Sequence, residues 1–251
     1  MNEYLQHSQT IVVTVNDSDF YGQVKPSAIM GYFQDIAVEH AEMIGIGYDK
    51  MKTDNLGWVL IRMSYKVYRT PVLGETLTIT TFPEKPRNAD VNRSYYIYDA
   101  SGKLVVSGSS KWCVIDLTTH KLQRCAPLFA HFDSAVYIPH QPFDDATPKL
   151  NPLAECGAPL EGTIEFNVQV TDLDRYFHMN NARYGDIVLN TCGIDMLKKR
   201  RIARLDANFM AQLFLNDKYE ACKATAENIT NIEVVKTGDE IAFRARIEWF
   251  D

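Results

Sequence analysis

The sequence predicts an α+β protein built as a tandem of two like units, each an antiparallel sheet wrapped around one long helix. Three observations carry that expectation. First, TDLDRYFHMNNARYGDIVLN, Thr171 to Asn190, reappears in weaker form 155 residues earlier as NDSDFYGQVKPSAIMGYFQD, Asn16 to Asp35. In both copies an acidic turn leads straight into an amphipathic helix. Second, GWVLIRMSYKVYRTPVLGETLTI is answered by ARLDANFMAQLFLNDKYEA, and SGKLVVSGSSKW by GDEIAFRARIEW, in the same order along the chain. Matching blocks in one order mark an internal duplication, which bears on the whole fold before any single element does. Third, the segments after each helix divide into short β-type runs separated by turn residues, a meander that needs no crossover helices.

The elements follow in order. Thr10 to Val15 alternates in β-branched residues and reads as a strand. A helix begins at Pro26-Ser27, carries apolar Ile29, Tyr32, Phe33, Ile36, His40 and Met43 at three-to-four spacing, and stops at Gly45 and Gly47. Trp58–Tyr68, Glu75–Phe82, Arg93–Asp99 and Leu104–Asp116 read as strands, with turn residues at Pro71–Gly74 and Ala100–Gly102. From about Pro127 to Gly162 the periodicity breaks, and Pro127, Pro139, Pro142, Pro148, Pro152 and Pro159 mark a linker. The second unit has a strand at Thr163–Val170, the acidic turn and a helix from about Asn181. Its strands lie near Arg204–Phe214, Tyr219–Ile229, Ile232–Thr237 and Glu240–Phe250. One helix wrapped by antiparallel strands is a hot-dog layout. The expected architecture is therefore a tandem double hot-dog, with a first unit at 1–130, a linker at 131–161 and a second unit at 162–251. Each sheet alone leaves an open flank. Two units side by side would form one continuous sheet, so the chain is expected as a monomer or a homodimer.

Composition narrows the function. A net charge of −6 argues against a general nucleic-acid binder, whose footprint is a basic excess. No apolar run reaches the ~18 residues of a membrane span, and MNEYLQHSQT lacks the charged and apolar regions of a signal peptide. Five scattered cysteines (113, 125, 156, 192, 222), with no C-x-x-C pair, suit a reducing cytoplasm and free thiols better than disulfides or zinc. There is no G-x-S-x-G elbow, no glycine-rich phosphate loop and no H-E-x-x-H, and the six histidines are dispersed, so neither cofactor nor metal is expected.

Asp174, His178 and Asn181 stand at spacings of four and three around the start of the second helix. Asn180 or Asn181 can cap that helix by accepting an orphan backbone N–H. Its first N–H groups and positive dipole end would suit a developing oxyanion. A carboxylate there could activate water or attack a carbonyl carbon, and an imidazole could orient substrate or shuttle a proton. The residues alone equally allow Asp172 and Asp174 to cap a turn while His178 packs in the core. Only the second copy has the histidine, since the first has Gln23, so one catalytic and one degenerate half are expected.

DLDRYFHMNNARY resembles the active-site segment of acyl-acyl-carrier-protein thioesterases, written D-L-D-x-N-x-H-x-N-N-x-x-Y. The likeness extends through GWVLIRMSYKVYRTPVLGETLTI and GKLVVSGSSKWCVIDLTTHKLQR, over nearly the whole chain. The resemblance implies a double hot-dog that hydrolyses the acyl-carrier-protein thioester and releases a free fatty acid. It places Asp174 on the catalytic carboxylate and His178 on the catalytic histidine, and matches Asn180, Asn181 and Tyr184 to the helix-start signature. Two departures stand out. The family's asparagine falls on Tyr176, and its strand-borne glutamate falls on Gln212, which can hold a water but cannot deprotonate one. The cysteine of plant members falls on Leu213, which excludes a thiol nucleophile there.

In this reading the first unit supplies the acyl tunnel. Ile29, Phe33, Ile36 and His40 of the helix and the strand from Trp58 to Ile61 would line it, with ordinary core packing as the competing account for each. His40 is expected as a satisfied buried histidine. The basic run Lys198-Lys199-Arg200-Arg201 could steer an acidic carrier protein to the site, or be a solvated loop face. An acyl-coenzyme A thioesterase and a non-catalytic acyl-binding protein are the alternatives.

Overall fold

The computed structural model describes residues 5–133, 137 and 147–250. Of the linker expected at 131–161, residues 134–136 and 138–146, with Pro139 and Pro142, lie outside the described residues. The first half contains β1 (His7–Val12), α1 (Pro26–Met43), α2 (Tyr48–Thr53), β2 (Leu56–Val67), β3 (Thr76–Pro83), β4 (Asp90–Asp99), β5 (Leu104–Asp116) and the short β6 (Leu122–Gln123). The second half contains β7 (Leu160–Asn167), α3 (Arg183–Cys192), α4 (Ile194–Leu197), β8 (Ile202–Phe209), β9 (Lys218–Ala226), β10 (Ile229–Lys236) and β11 (Glu240–Trp249).

These strands form one antiparallel sheet in the order β1-β3-β4-β5-β2-β8-β11-β10-β9-β7, with β6 paired to β5. The order is a mirror image about the β2–β8 seam, so each half repeats the other's pairing. A tandem double hot-dog is thus the fold, and the open flanks of the two units close on each other. At the seam Arg62 lies opposite Asn208, Ser64 opposite Asp206 and Lys66 opposite Arg204. Asp206 is fully buried there and pairs with Arg204 at 2.8 Å and with Arg246 at 3.6 Å. A carboxylate so far from water persists because guanidinium groups meet both of its oxygens.

The helices lie against the sheet by their apolar stripes. In α1 the buried positions include Ile29, Met30, Phe33, Ile36, Ala37 and His40, the spacing that one helical face requires. Phe33 stacks on Tyr95 at 4.2 Å, and its ring occupies the space over Gly108, where a Cβ would come within 2.5 Å of it. α1 and α3 touch near their N-terminal ends. A Cβ on Gly185 would lie 2.4 Å from the Ser27 nitrogen, so only glycine permits that approach, and the Ser27 hydroxyl donates to Asp186 beside it. His40 is buried as expected. The Arg93 guanidinium donates to its Nδ1 at 3.0 Å, and burial, with Arg93 and His7 nearby, holds the imidazole down to about 3.

One element departs from the sequence reading in a way that matters. The strand expected through Phe214 stops at Phe209. The N–H groups of Met210 and Ala211 share the Ala242 carbonyl, and the chain then leaves the sheet to pair with the turn before α3. Met179 N–H donates to the Leu213 carbonyl at 2.8 Å, and His178 bridges Phe214.

Candidate active site

The turn before α3 is built by Asp174. Its Oδ1 accepts the N–H groups of Tyr176 at 2.8 Å and His178 at 3.2 Å, and its own N–H donates to the His178 carbonyl at 2.8 Å. The first copy has the same turn. Asp19 Oδ1 accepts from Tyr21 at 2.8 Å and Gln23 at 3.0 Å, and Asp19 N–H donates to the Gln23 carbonyl at 2.8 Å. The preceding aspartates also correspond: Asp172 accepts from Gln169 N–H and Asp17 from Thr14 N–H, each at 2.8 Å. Capping therefore accounts for an aspartate at both positions in both copies. It does not account for the second oxygen of Asp174, which has no partner among the described residues. The loop closes through one left-handed residue, Gly22 at φ +70° in the first copy and Phe177 at φ +62° in the second. A side chain in that conformation costs about 1–2 kcal/mol, which glycine avoids.

A cavity of about 580 Å³ lies between the two halves, against this turn. Asp174, Tyr176, His178, Asn180, Asn181, Tyr184, Gln212 and Trp58 all line it. The structure thus brings together seven expected site residues of the second half with Trp58 of the first. Ile29, Phe33 and Ile36 are placed elsewhere, inside the core. The three-to-four stripe that reveals a helix is the face the sheet covers. The flank of α1 that meets the cavity carries Gln34, Asp35 and Val38 instead. Tyr48 and Arg175 also line it, and the sequence reading passed over both. The Arg175 guanidinium lies 4.2 Å from the centre of the Tyr48 ring, a contact between distant segments that spacing does not reveal.

The polar groups differ in what they are free to do. Burial holds the His178 imidazole below its ordinary value, with the Asp174 carboxylate opposing the shift. Its ring stands edge-on to Phe214 at 4.9 Å and is stacked with Tyr176 at 6.4 Å. Burial also pushes the Tyr176 phenol up to about 12, so it is a neutral hydrogen-bond donor. Asn180 Oδ1 accepts Ala182 N–H at 2.9 Å in the turn that leads into α3. The N–H groups of Arg183, Tyr184 and Gly185 go to the carbonyls of Asn180, Asn181 and Ala182 at 2.9, 3.3 and 3.0 Å. These three helix-start donors are therefore already engaged, whereas the Asn181 N–H has no acceptor among the described residues. The helix dipole remains, and the Asn181 side chain, without a partner among the described residues, lines the cavity in their place. None of the five cysteines lines the cavity, so no thiol is placed there as an alternative nucleophile.

The first copy has a counterpart cavity of only about 40 Å³, lined by Asp19, Gln23, Leu189, Leu197, Arg200 and Arg201 among others. Arg201 lies over the Tyr21 ring at 4.5 Å, and Arg200 donates to the Glu227 carbonyl at 2.8 Å. The basic run thus flanks the small pocket, and none of its four cations lines the large one. Among the described residues, no helix is long and apolar enough to cross a membrane, and no group of three or more His, Cys, Asp and Glu is placed to hold a metal ion.

The fold and the cavity together define a double hot-dog protein with one large and one small cavity. Comparison with known families narrows this further: residues 4–131 match the acyl-ACP thioesterase N-terminal domain, and residues 161–251 match the acyl-ACP thioesterase C-terminal domain. The chain belongs to the acyl-ACP thioesterase family. Among curated relatives, the chloroplastic acyl-[acyl-carrier-protein] hydrolase FATB2 of Cuphea viscosissima is 24% identical over 241 residues, covering 88% of this chain and 57% of its own length. The chain therefore spans little more than half of that relative. A solved acyl-ACP thioesterase from Bacteroides thetaiotaomicron superposes with a TM-score of 0.87 at 22% identity, covering all of both chains. The 12:0-ACP thioesterase from Umbellularia californica gives 0.86 at 20% identity, covering 98% of this chain and 97% of its own. These likenesses show the shared fold.

Proposed function

We propose that the chain hydrolyses the thioester of an acyl-acyl carrier protein and releases a free fatty acid. One observation carries the reading. The unpartnered oxygen side of Asp174, the His178 imidazole and the Asn181 and Gln212 amides converge on a single cavity between the halves. Asp174 takes a proton from the attacking water, which Gln212 holds by hydrogen bonding. His178, neutral in its half-buried setting, orients the water or thioester. The Asn181 amide and the α3 dipole stabilise the oxyanion, and Tyr176 supplies a further O–H donor. In this reading residues 162–251 carry the chemistry, residues 1–130 supply the acyl pocket, and 131–161 link them. Trp58, Val38, Leu60 and Leu117 give that pocket its apolar wall. An acidic carrier protein would meet Arg175 at the cavity edge and Lys52, whose amine lies 5.8 Å from the Tyr48 ring centre. The five free cysteines suit the reducing cytoplasm as its location.

The test is a comparison of kcat/KM for acyl chains of graded length carried on acyl carrier protein and on coenzyme A. Faster turnover of the carrier-protein thioester at a matched chain length is expected. Equal or faster turnover of the coenzyme A ester moves the carrier assignment to coenzyme A, and binding without turnover makes the protein an acyl-chain binder.

A pH profile follows from His178. Because burial favours its neutral form, the imidazole stays uncharged down to a pH below its ordinary 6.5. Activity that needs neutral His178 is therefore retained at pH 6.5 and lost at lower pH, and His178→Asn should abolish that limb of the kcat/KM profile. An imidazole limb centred above 6.5 would contradict the role of burial.

A further inference from the structure

We propose, on the hydrolase reading above, that Asp35 from the first unit's helix is the general acid that protonates the departing sulfur of the thioester. The cavity that Asp174 and His178 line is closed on its other side by α1, which presents Gln34 and Asp35 to it. The helix pair fixes this placement. α1 and α3 are locked where Ser27 meets Gly185 and Asp186. Asp35 stands two turns further along α1, about 12 Å at the helical rise, past the start of α3 and beside the turn that precedes it.

Asp35 stands solvent-exposed at the rim of the cavity, and Gln34 beside it is half-buried. Asp35 makes no hydrogen bond or ion pair among the described residues, and Gln34 Oε1 is buried without a partner. Buried polar atoms are nearly always bonded, so an unpaired one beside a cavity marks a place for a ligand's polar atom. The duplication supplies a control within the chain. The residue 155 positions after Gln34 is Leu189, which lines the small pocket, and the residue after Asp35 in the same register is Asn190. The facing acid occurs only where the opposite turn carries a histidine.

The protonation chemistry agrees with the geometry. Although Asp35 is exposed on one side, the partial burial of its carboxyl against the cavity wall raises it above its ordinary value. Two carboxyl groups in different surroundings on one site divide into an acid and a base. The other ionisable groups around the cavity are Glu39 on α1, Tyr48 on α2, the series Asp174, Arg175, Tyr176 and His178, and Tyr184 on α3. The step balances as follows. Water gives a proton to Asp174 and its oxygen bonds to the carbonyl carbon. The tetrahedral intermediate then breaks its C–S bond, and the Asp35 proton passes to sulfur, giving the free thiol and the carboxylic acid. The fatty acid leaves as its carboxylate, and proton exchange with solvent restores both aspartates.

The experiment uses Asp35→Asn in the full chain with two substrates: an acyl-carrier-protein thioester, whose alkyl thiolate is a poor leaving group, and an acyl 5-thio-2-nitrobenzoate ester, whose aryl thiolate needs no proton. The expected result is a loss of ~100-fold or more in kcat on the first and less than ~3-fold on the second, the range of a lost general acid. The wild-type rate should fall as pH rises through the Asp35 value, and the variant should lack that limb. Equal losses on both substrates, a change in KM alone, or an unaltered kcat would each overturn the proposal. Asp174→Asn, measured in parallel, should fail on both esters. If the wild type turns over neither ester the hydrolase reading itself falls, and a fully active Asp174→Asn removes the base assigned to Asp174, whereas an inactive Asp174→Asn beside a normal Asp35→Asn removes only the role of Asp35.

Discussion

Replacing Asp174 with alanine should lower thioester hydrolysis by ~100-fold or more, the scale of a lost general base. Alanine removes two things at once, the proton acceptor and the cap on the turn, because Oδ1 holds the N–H groups of Tyr176 and His178. Two further variants separate them. Asp174→Asn keeps a carbonyl oxygen for the turn and loses only the basic group, so it should be nearly as slow as the alanine variant. Asp19→Ala removes the equivalent cap from the first copy, where Oδ1 holds Tyr21 and Gln23, and should leave the rate unaltered while lowering stability. Steady-state kcat/KM for the three variants decides the matter. An asparagine variant as fast as the wild type would reduce Asp174 to the structural duty it shares with Asp19.

The largest stability effect should come from the seam. Asp206→Ala takes the shared carboxylate from the buried Arg204, while Arg246, which is partly exposed, keeps Glu248. Removing one partner of a buried pair costs about 3–5 kcal/mol, since the charge left on Arg204 remains desolvated. The loss should appear in the denaturant midpoint of unfolding, because β8 joins the halves and both depend on it. A shift equivalent to less than ~1 kcal/mol would mean that solvent or another group replaces the carboxylate, which is the behaviour of an exposed pair.

The repeat made the architecture legible. Each acidic turn, helix and strand block recurs at its own offset, and the sheet order mirrors itself about β2 and β8 as duplication requires. The turn was legible too, because Asp174, His178 and Asn180 act within a few residues of one another. The far wall of the cavity was not. Periodicity identifies the buried stripe of α1, and Ile29, Phe33 and Ile36 belong to it, whereas the lining flank carries Gln34 and Asp35, which look like ordinary solvent-facing residues in a sequence. Tyr48 against Tyr176, at 5.1 Å, joins segments 128 positions apart that no spacing connects. The place of the basic run was not legible for a related reason: it depends on how α4 turns into β8, which carries Arg201 toward Tyr21.

The small, plugged pocket beside Asp19 has a consequence for how such a protein can vary. In a symmetric pair of identical subunits every substitution occurs twice, so a residue that widens one chamber widens both. A covalent tandem is free of that bookkeeping. Leu197 and Arg201 can cork one chamber and add contacts to the interior, while the other chamber is reshaped around a different guest without unsettling its twin.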